Sequence, residues 1–366
     1  MSDSPARRAR DLGIHIGRGA PGATNAITDV PGVRVGHRTV LRGDDGAHDA
    51  VRTGVTAIFP HEGDPWTAPV YAGTHILNGY GELIGVNTIR EWGILESPIV
   101  LTSSQLIGKA YDATVRWIAG HDRRAAESVM PVVTECDDSF LSAVLADPLS
   151  DEDVGAALDA AAGGSVEEGS VGAGTGMQAF DFKGGIGTAS RVVELGGDAA
   201  TVGVLVLTNH GNREDLLIDG VRVGERLVGD LPAEHSEGSC IVVVATDAPL
   251  LPHQLRRVAE RAGLGLARGG SHASNTSGEQ LLAFSTANRL PSDAPQAVVS
   301  SVVDGAGAGG PFLSRLFRAT VEATEEAVVN AMIAAHGVVG RDGHTLQALP
   351  VARTLALLSE VGRLSG

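Results

Sequence analysis

Residues 231–245 read LPAEHSEGSCIVVVA. From Ile241 to Ala245 the run is apolar and mostly β-branched with no polar alternation, the pattern of a strand covered on both faces. The residues ahead of it bring Pro, charge and small side chains together, which predicts an exposed or processed loop. Gly238 and Ser239 fall where that loop passes straight into the buried strand. A hydroxyl there is held by a rigid element while the peptide bond before it can be strained.

On either side of this stretch, short apolar segments bounded by turn residues predict strands at 27–35, 54–59, 69–77, 97–102, 130–134, 187–194, 200–208 and 279–286. Apolar residues at helical spacing predict helices at 107–118, 156–162, 252–267, 313–335 and 351–364. In the fourth of these, Leu313, Phe317, Val321, Val328 and Met332 follow the 3.6-residue period. Residues 163–176 read as a Gly-rich loop. Strands and helices mix along the whole chain without strict βαβ alternation. The expected fold class is therefore α+β, with two mixed sheets between helical layers, rather than a doubly wound sheet. No repeat of solenoid length is visible, and residues 1–366 are read as one structural unit.

Hydrophobic residues make up 43% of the chain but aromatics only 4%, so the core must be closely packed Ala, Val, Leu and Ile. The 49 glycines follow no collagen-like period, and call for tight turns and close backbone approaches. A formal net charge of −16 argues against nucleic acid or an anionic membrane surface as a partner, because both need a basic face. No apolar run approaches the length of a membrane span. Cys136 and Cys240 are too few for a disulfide framework or a Cys-rich zinc site; they suggest a reducing compartment, with the cytoplasm as the expected location. The 12 histidines show no paired ligand spacing, so neither a metal nor a cofactor is expected. The Gly-rich runs 172–176, 263–270 and 305–310 lack the flanking strand and helix of a dinucleotide-binding loop. The first 22 residues carry paired arginines with no apolar stretch behind them and are expected to form a mobile arm.

At Gly238-Ser239, a glycine without Cβ lets the serine Oγ approach the preceding carbonyl. An N-to-O acyl shift followed by hydrolysis would release Ser239 as a new N-terminus. Its α-amino group, with an unperturbed pKa of about 7.7 to 8.0, could then deprotonate its own hydroxyl. Such general-base help is worth ~10² to 10⁴ in rate. Taken alone, Gly-Ser before a strand reads as a common turn rather than as a catalytic site. Cys240 falls on the opposite strand face and reads as core packing.

The wider pattern decides between these readings. The segments RTGVTAIFPH, NGYGELIGV, GAGTGM, FKGGIGTASR, GSCIVVVATDAPLLPHQLRR and LLAFSTAN, followed by VEATEEAVVNAM, resemble in the same order those of the DmpA-like L-aminopeptidases/D-esterases and β-aminopeptidases. The resemblance runs from about Ile27 to Ala335. It implies an αββα sandwich of Ntn-hydrolase type. It further implies a precursor cut between Gly238 and Ser239 into an α polypeptide (1–238) and a β polypeptide (239–366) that stay associated, and a homotetramer of such pairs. The substrate would be a small peptide or an amino acid amide or ester. L-α-, D-, β- and ω-aminoacyl groups and pantetheine-type amides are alternatives on the same framework, as is a binding homologue without turnover.

Residue by residue, the resemblance assigns Ser239 as nucleophile, with Ser277 and Glu279 as its Ser-x-Glu partners. Asn209 becomes the oxyanion donor and Glu135 the anchor for the substrate's ammonium. Without the resemblance, Ser277 and Glu279 read as a solvated strand-end turn, Asn209 as a turn residue and Glu135 as an exposed turn carboxylate. Lys183 in FKGGIG matches a lysine near the cleft of some relatives; on its own it reads as a solvated turn residue. The chain departs from the family pattern at Asp137, where relatives carry Tyr, and at Ser103-Ser104. An ionised Asp137 aimed at the reacting oxygen would repel the developing charge.

Overall fold

The computed structural model describes residues 7–228, 238–291, 293, 295–304 and 311–364; the predicted processing loop at 231–237 and the Gly-rich run at 305–310 lie outside the described residues. Two sheets dominate. The first has five strands in the order Arg34–Arg42, Val51–Phe59, Ile99–Ser103, Val132–Cys136 and Leu83–Ile84. The second has six, in the order Ile186–Leu195, Asp198–Asn209, Ser239–Thr246, Gly278–Arg289, Val70–Gly79 and Ile94–Leu95. Each is mixed, with one parallel pair in an otherwise antiparallel ladder: Ile99–Ser103 with Val132–Cys136, and Ser239–Thr246 with Gly278–Arg289.

The predicted two-faced strand explains the layering. Ile241, Val243 and Ala245 pack into an apolar core with Ile58, Leu101 and Val132 of the first sheet. Cys240, Val242 and Val244 point the other way, into a core with Leu255 and Val258 of the helix Pro252–Arg268 and Leu316 and Ala323 of the helix Phe312–Ala334. On the far side of the first sheet, Val55, Ala57 and Val100 pack against helices Ile107–His121 and Asp151–Asp159. Helices, sheet, sheet and helices thus form four layers, as expected, and Cys240 is core. Among the described residues no helix is long and apolar enough to cross a membrane.

Several local expectations are corrected. The strand placed at 27–35 is a short 3-10 turn, Ile27–Asp29, followed by a tight turn in which Val33 N–H donates to the Val30 carbonyl. Pro31 has no N–H for a ladder, and the strand starts only at Arg34. The helix placed at 156–162 spans Asp151–Asp159, because Ser150 and Asp153 cap its start reciprocally. The Gly-rich loop placed at 163–176 ends in a buried 3-10 turn, Gly172–Gly176. The strand placed at 130–134 runs Val132–Cys136, which brings Glu135 inside it.

Residues 7–22 of the expected mobile arm pack along the second sheet instead, and residues 1–6 lie outside the described residues. Ala9, Ile14 and Ile16 are fully buried. The Arg8 guanidinium pairs with Glu168 at 2.6 Å, and Arg10 with Glu326 at 2.8 Å. Glu326 also pairs with the buried Arg191 at 2.6 Å and accepts from Asn25. Long arginine stems cover apolar surface while their heads find carboxylates, so this segment is anchored by charge as well as by packing.

Candidate active site

Three neighbouring strands of the second sheet bring the predicted residues to one end. Ser239 opens its strand, paired with Asn209 on one side and with Gly278 on the other. Ser239, Ser277, Glu279 and Asn209 are all buried. Backbone alternation turns Ser239 toward the first sheet, beside the Cys136 thiol, which donates to the Leu207 carbonyl at 3.8 Å. Burial pushes that thiol well above its ordinary pKa, so Cys136 is a neutral partner.

The peptide before Ser239 is held closely. The Gly238 carbonyl accepts from the Gly278 N–H at 3.2 Å. A Cβ on Gly238 would come 1.5 Å from the Asn209 carbonyl oxygen and 3.2 Å from Asn209 Nδ2. Glycine is required by this close approach rather than by unusual dihedrals. The Asn209 amide is oriented by two bonds: Oδ1 accepts from Gln178 N–H at 3.2 Å, and Nδ2 donates to the Asp137 carbonyl at 2.8 Å.

Ser277 donates to Glu279 Oε1, and Glu279 Oε2 is buried without a partner. Burial raises the Glu279 pKa against the lowering effect of the Ser277 hydroxyl. In the uncut chain this pair does not include the Ser239 hydroxyl, because Glu279 shares a register position with Cys240 and Ser239 pairs with the intervening Gly278. The expected relay is therefore adjacent through the backbone, not yet joined through side chains.

Glu135 is buried, with Oε1 accepting from Glu82 N–H at 2.8 Å and Oε2 from Ser104 Oγ. Burial raises its pKa over the opposing effect of these bonds. Ser104, one of the two departures from the family pattern, thus orients the predicted ammonium anchor. Its neighbour Ser103 donates to Asp138 at 2.6 Å. Asp137 is exposed and turned away: its carboxylate accepts from the Ser139 N–H at 2.8 Å and Ser139 Oγ at 2.9 Å, while its carbonyl holds Asn209. It contributes backbone to the site and keeps its charge outside.

Lys183 is neither a solvated turn residue nor free to meet a substrate. It is fully buried, and its Nζ donates to the carbonyls of Gly174, Met177 and Gly184 at 2.7 to 2.9 Å, which engages all three of its hydrogens. Burial lowers its pKa to about 7. Asp138, missed in the sequence, is likewise fully buried. Burial raises its pKa to about 7 despite hydrogen bonds from Ser103 and Thr53. The folded state thus binds the Asp138 proton more tightly than the unfolded chain does. That contribution to stability is present below about pH 4 and is lost as pH rises to about 7. Asp138→Asn should gain thermal stability over the unmodified protein progressively between pH 4 and 7, read from paired melting curves.

The sequence profile of Peptidase family S58 matches residues 25–346. The chain is 42% identical to the β-peptidyl aminopeptidase BapA of Sphingosinicella microcystinivorans, over 98% of this chain and 93% of that protein. Among solved structures it matches the L-aminopeptidase D-Ala-esterase/amidase of Ochrobactrum anthropi, described as a prototype of the serine aminopeptidases and a variant of the Ntn-hydrolase fold. That match has a TM-score of 0.90 and 44% identity, over 98% of this chain and 99% of that one. A Burkholderia sp. β-aminopeptidase aligns with a TM-score of 0.88 and 44% identity, over 97% of this chain and 99% of that one. Similarity of this extent and identity carries both the fold and the class of enzyme: the chain belongs to peptidase family S58 and is an Ntn-type serine aminopeptidase.

Proposed function

We propose that the protein cuts itself between Gly238 and Ser239 and then uses Ser239 Oγ to take the N-terminal aminoacyl group from small peptides, amides or esters. The observation that carries this reading is the Gly238-Ser239 peptide itself. Its carbonyl is polarised by the Gly278 N–H, the Asn209 amide lies beside it, and Ser239 opens a rigid, fully buried strand. In self-cleavage Oγ attacks the Gly238 carbonyl, the C–N bond breaks, and water releases the resulting ester. The freed α-amine then serves as base for the Ser239 hydroxyl. Glu279, on the adjoining strand, and Ser277, just ahead of it, are the groups assigned to orient that amine.

In turnover, Glu135 holds the substrate's ammonium, and a bound cation favours the ionised form of its carboxyl. Oγ forms an acyl-enzyme while the Asn209 amide stabilises the oxyanion. Asn209→Ala should therefore lower kcat by ~10² to 10³, measured on the processed enzyme so that slow self-cleavage is not counted as slow turnover. Because relatives of 42% and 44% identity are named for β-peptides and β-amino acids, we place β-aminoacyl groups first among substrates. A panel of L-α-, D-α- and β-aminoacyl p-nitroanilides tests the ranking, which fails if an α-aminoacyl compound has the higher kcat/KM. A protein that hydrolyses none of them is the binding homologue instead. The outward turn of Asp137 removes the main support for that reading.

The α and β polypeptides share the ladder between Asp198–Asn209 and Ser239–Thr246 at the centre of the second sheet, which supports their staying together after the cut. A homotetramer of such pairs and a cytoplasmic location complete the proposal.

A further inference from the structure

Lys183 is fully buried, and an ammonium is costly to bury unless it is paired and hydrogen-bonded. A methionine would fill the same space without that cost, so packing does not explain the charge. One of the three carbonyls that hold it does more than accept. The Met177 oxygen, 2.7 Å from Lys183 Nζ, belongs to the same peptide unit as the Gln178 N–H, and that N–H donates to Asn209 Oδ1 at 3.2 Å. Gln178 and Lys183 face each other across the two-stranded ribbon of Gln178–Ala179 and Phe182–Lys183, which brings the lysine to that peptide. The Gly184 N–H takes the other side of the Met177 oxygen at 3.1 Å. Hydrogen bonds thus run head to tail from the ammonium through one peptide to the Asn209 amide, whose Nδ2 donates to the Asp137 carbonyl at 2.8 Å. An amide nitrogen carries two hydrogens, which leaves one for the reacting oxygen.

We propose that Lys183 is a positioning residue for the oxyanion: acting through the Met177–Gln178 peptide, it fixes the Asn209 amide and strengthens Nδ2 as a donor to the reacting oxygen. A bond to a peptide oxygen makes the N–H of that peptide a better donor, and the Asn209 amide passes the effect on in the same way. The first bond of the chain is the strong one, since a charged donor forms a hydrogen bond roughly twice as strong as a neutral one. Lys183 itself touches no substrate. The inference rests on Asn209 as the oxyanion donor and deepens that reading.

The test is a double-mutant cycle on processed enzyme with a β-aminoacyl p-nitroanilide, reading kcat and KM separately. Lys183→Met is expected to lower kcat about tenfold, a part of the ~10² to 10³ that loss of the donor itself costs, with KM within about threefold. In the Asn209→Ala background the same substitution is expected to lower kcat less than about twofold, because the donor it acts through is gone. Lys183→Gln keeps two N–H donors for the surrounding carbonyls without the charge, and carries the same cycle if the methionine variant does not fold. Melting curves check that each variant is folded at the assay temperature. An equal fall in kcat in both backgrounds overturns the proposal, since it would make Lys183 a support of the fold alone. So does a fall below about twofold with Asn209 present, or a rise in KM at constant kcat. An Asn209→Ala enzyme with unchanged kcat defeats the oxyanion reading, and the inference with it, so the two failures are distinguishable.

Discussion

Ser239→Ala is expected to persist as one uncut chain of 366 residues and to hydrolyse aminoacyl amides on the order of 10⁶-fold more slowly than the unmodified enzyme, the loss seen when a serine hydrolase loses its nucleophile. Both losses have one cause, because the oxygen that attacks the Gly238 carbonyl is the oxygen that later carries the acyl group. The fold should survive. Removing the Ser239 hydroxyl from beside the neutral Cys136 thiol costs about 1 kcal/mol, the scale of one ordinary hydrogen bond. A variant that is inactive and uncut yet melts within a few degrees of the unmodified protein separates chemistry from folding.

Glu326→Ala is expected to destabilise the protein by about 3 to 5 kcal/mol, the cost of leaving a buried charge unpaired. Its carboxylate accepts from Arg10, Asn25 and Arg191. Arg191 is fully buried, and without Glu326 its remaining carboxylate is Glu322 at 3.6 Å. Burial pushes the Glu326 carboxyl up, but Arg191 and Arg10 with their hydrogen bonds outweigh it and leave the pKa below its ordinary value. Its stabilising contribution is thus present above about pH 4.5 and is lost as pH falls through the lower, folded value. Urea unfolding at neutral pH should show the full penalty, and the gap between variant and unmodified protein should narrow below about pH 4.5. Arg10, Asn25 and Arg191 precede the proposed cut and Glu326 follows it, so the same variant should also loosen the processed pair.

How much of this was legible in the sequence depends on how local the cause is. The strand after Ser239 and its four-layer setting follow from five apolar residues without alternation, and the length of the helix Phe312–Ala334 from its apolar period. The helix start at Ser150 was equally local, through a Ser-x-x-Asp cap overlooked in favour of the Ala-rich stretch that follows. Asp137 also carried a local sign: a serine two residues on closes an Asx turn, which takes the carboxylate away from the site. The anchoring of the N-terminal segment is not local: Arg8 and Arg10 look solvated until Glu168 and Glu326, 160 and 316 residues away, are brought to them. Lys183 was beyond reach for a related reason. Its partners are backbone carbonyls of a Gly-rich turn, and nothing in a residue alphabet marks a carbonyl as waiting for a cation.

Self-cleavage breaks one bond, Gly238-Ser239, and intact mass of the purified protein reads it directly. Two polypeptides are predicted, one ending at Gly238 and one beginning at Ser239, both merging into a single full-length mass in Ser239→Ala. An unmodified protein that remains a single chain while hydrolysing aminoacyl amides would contradict it.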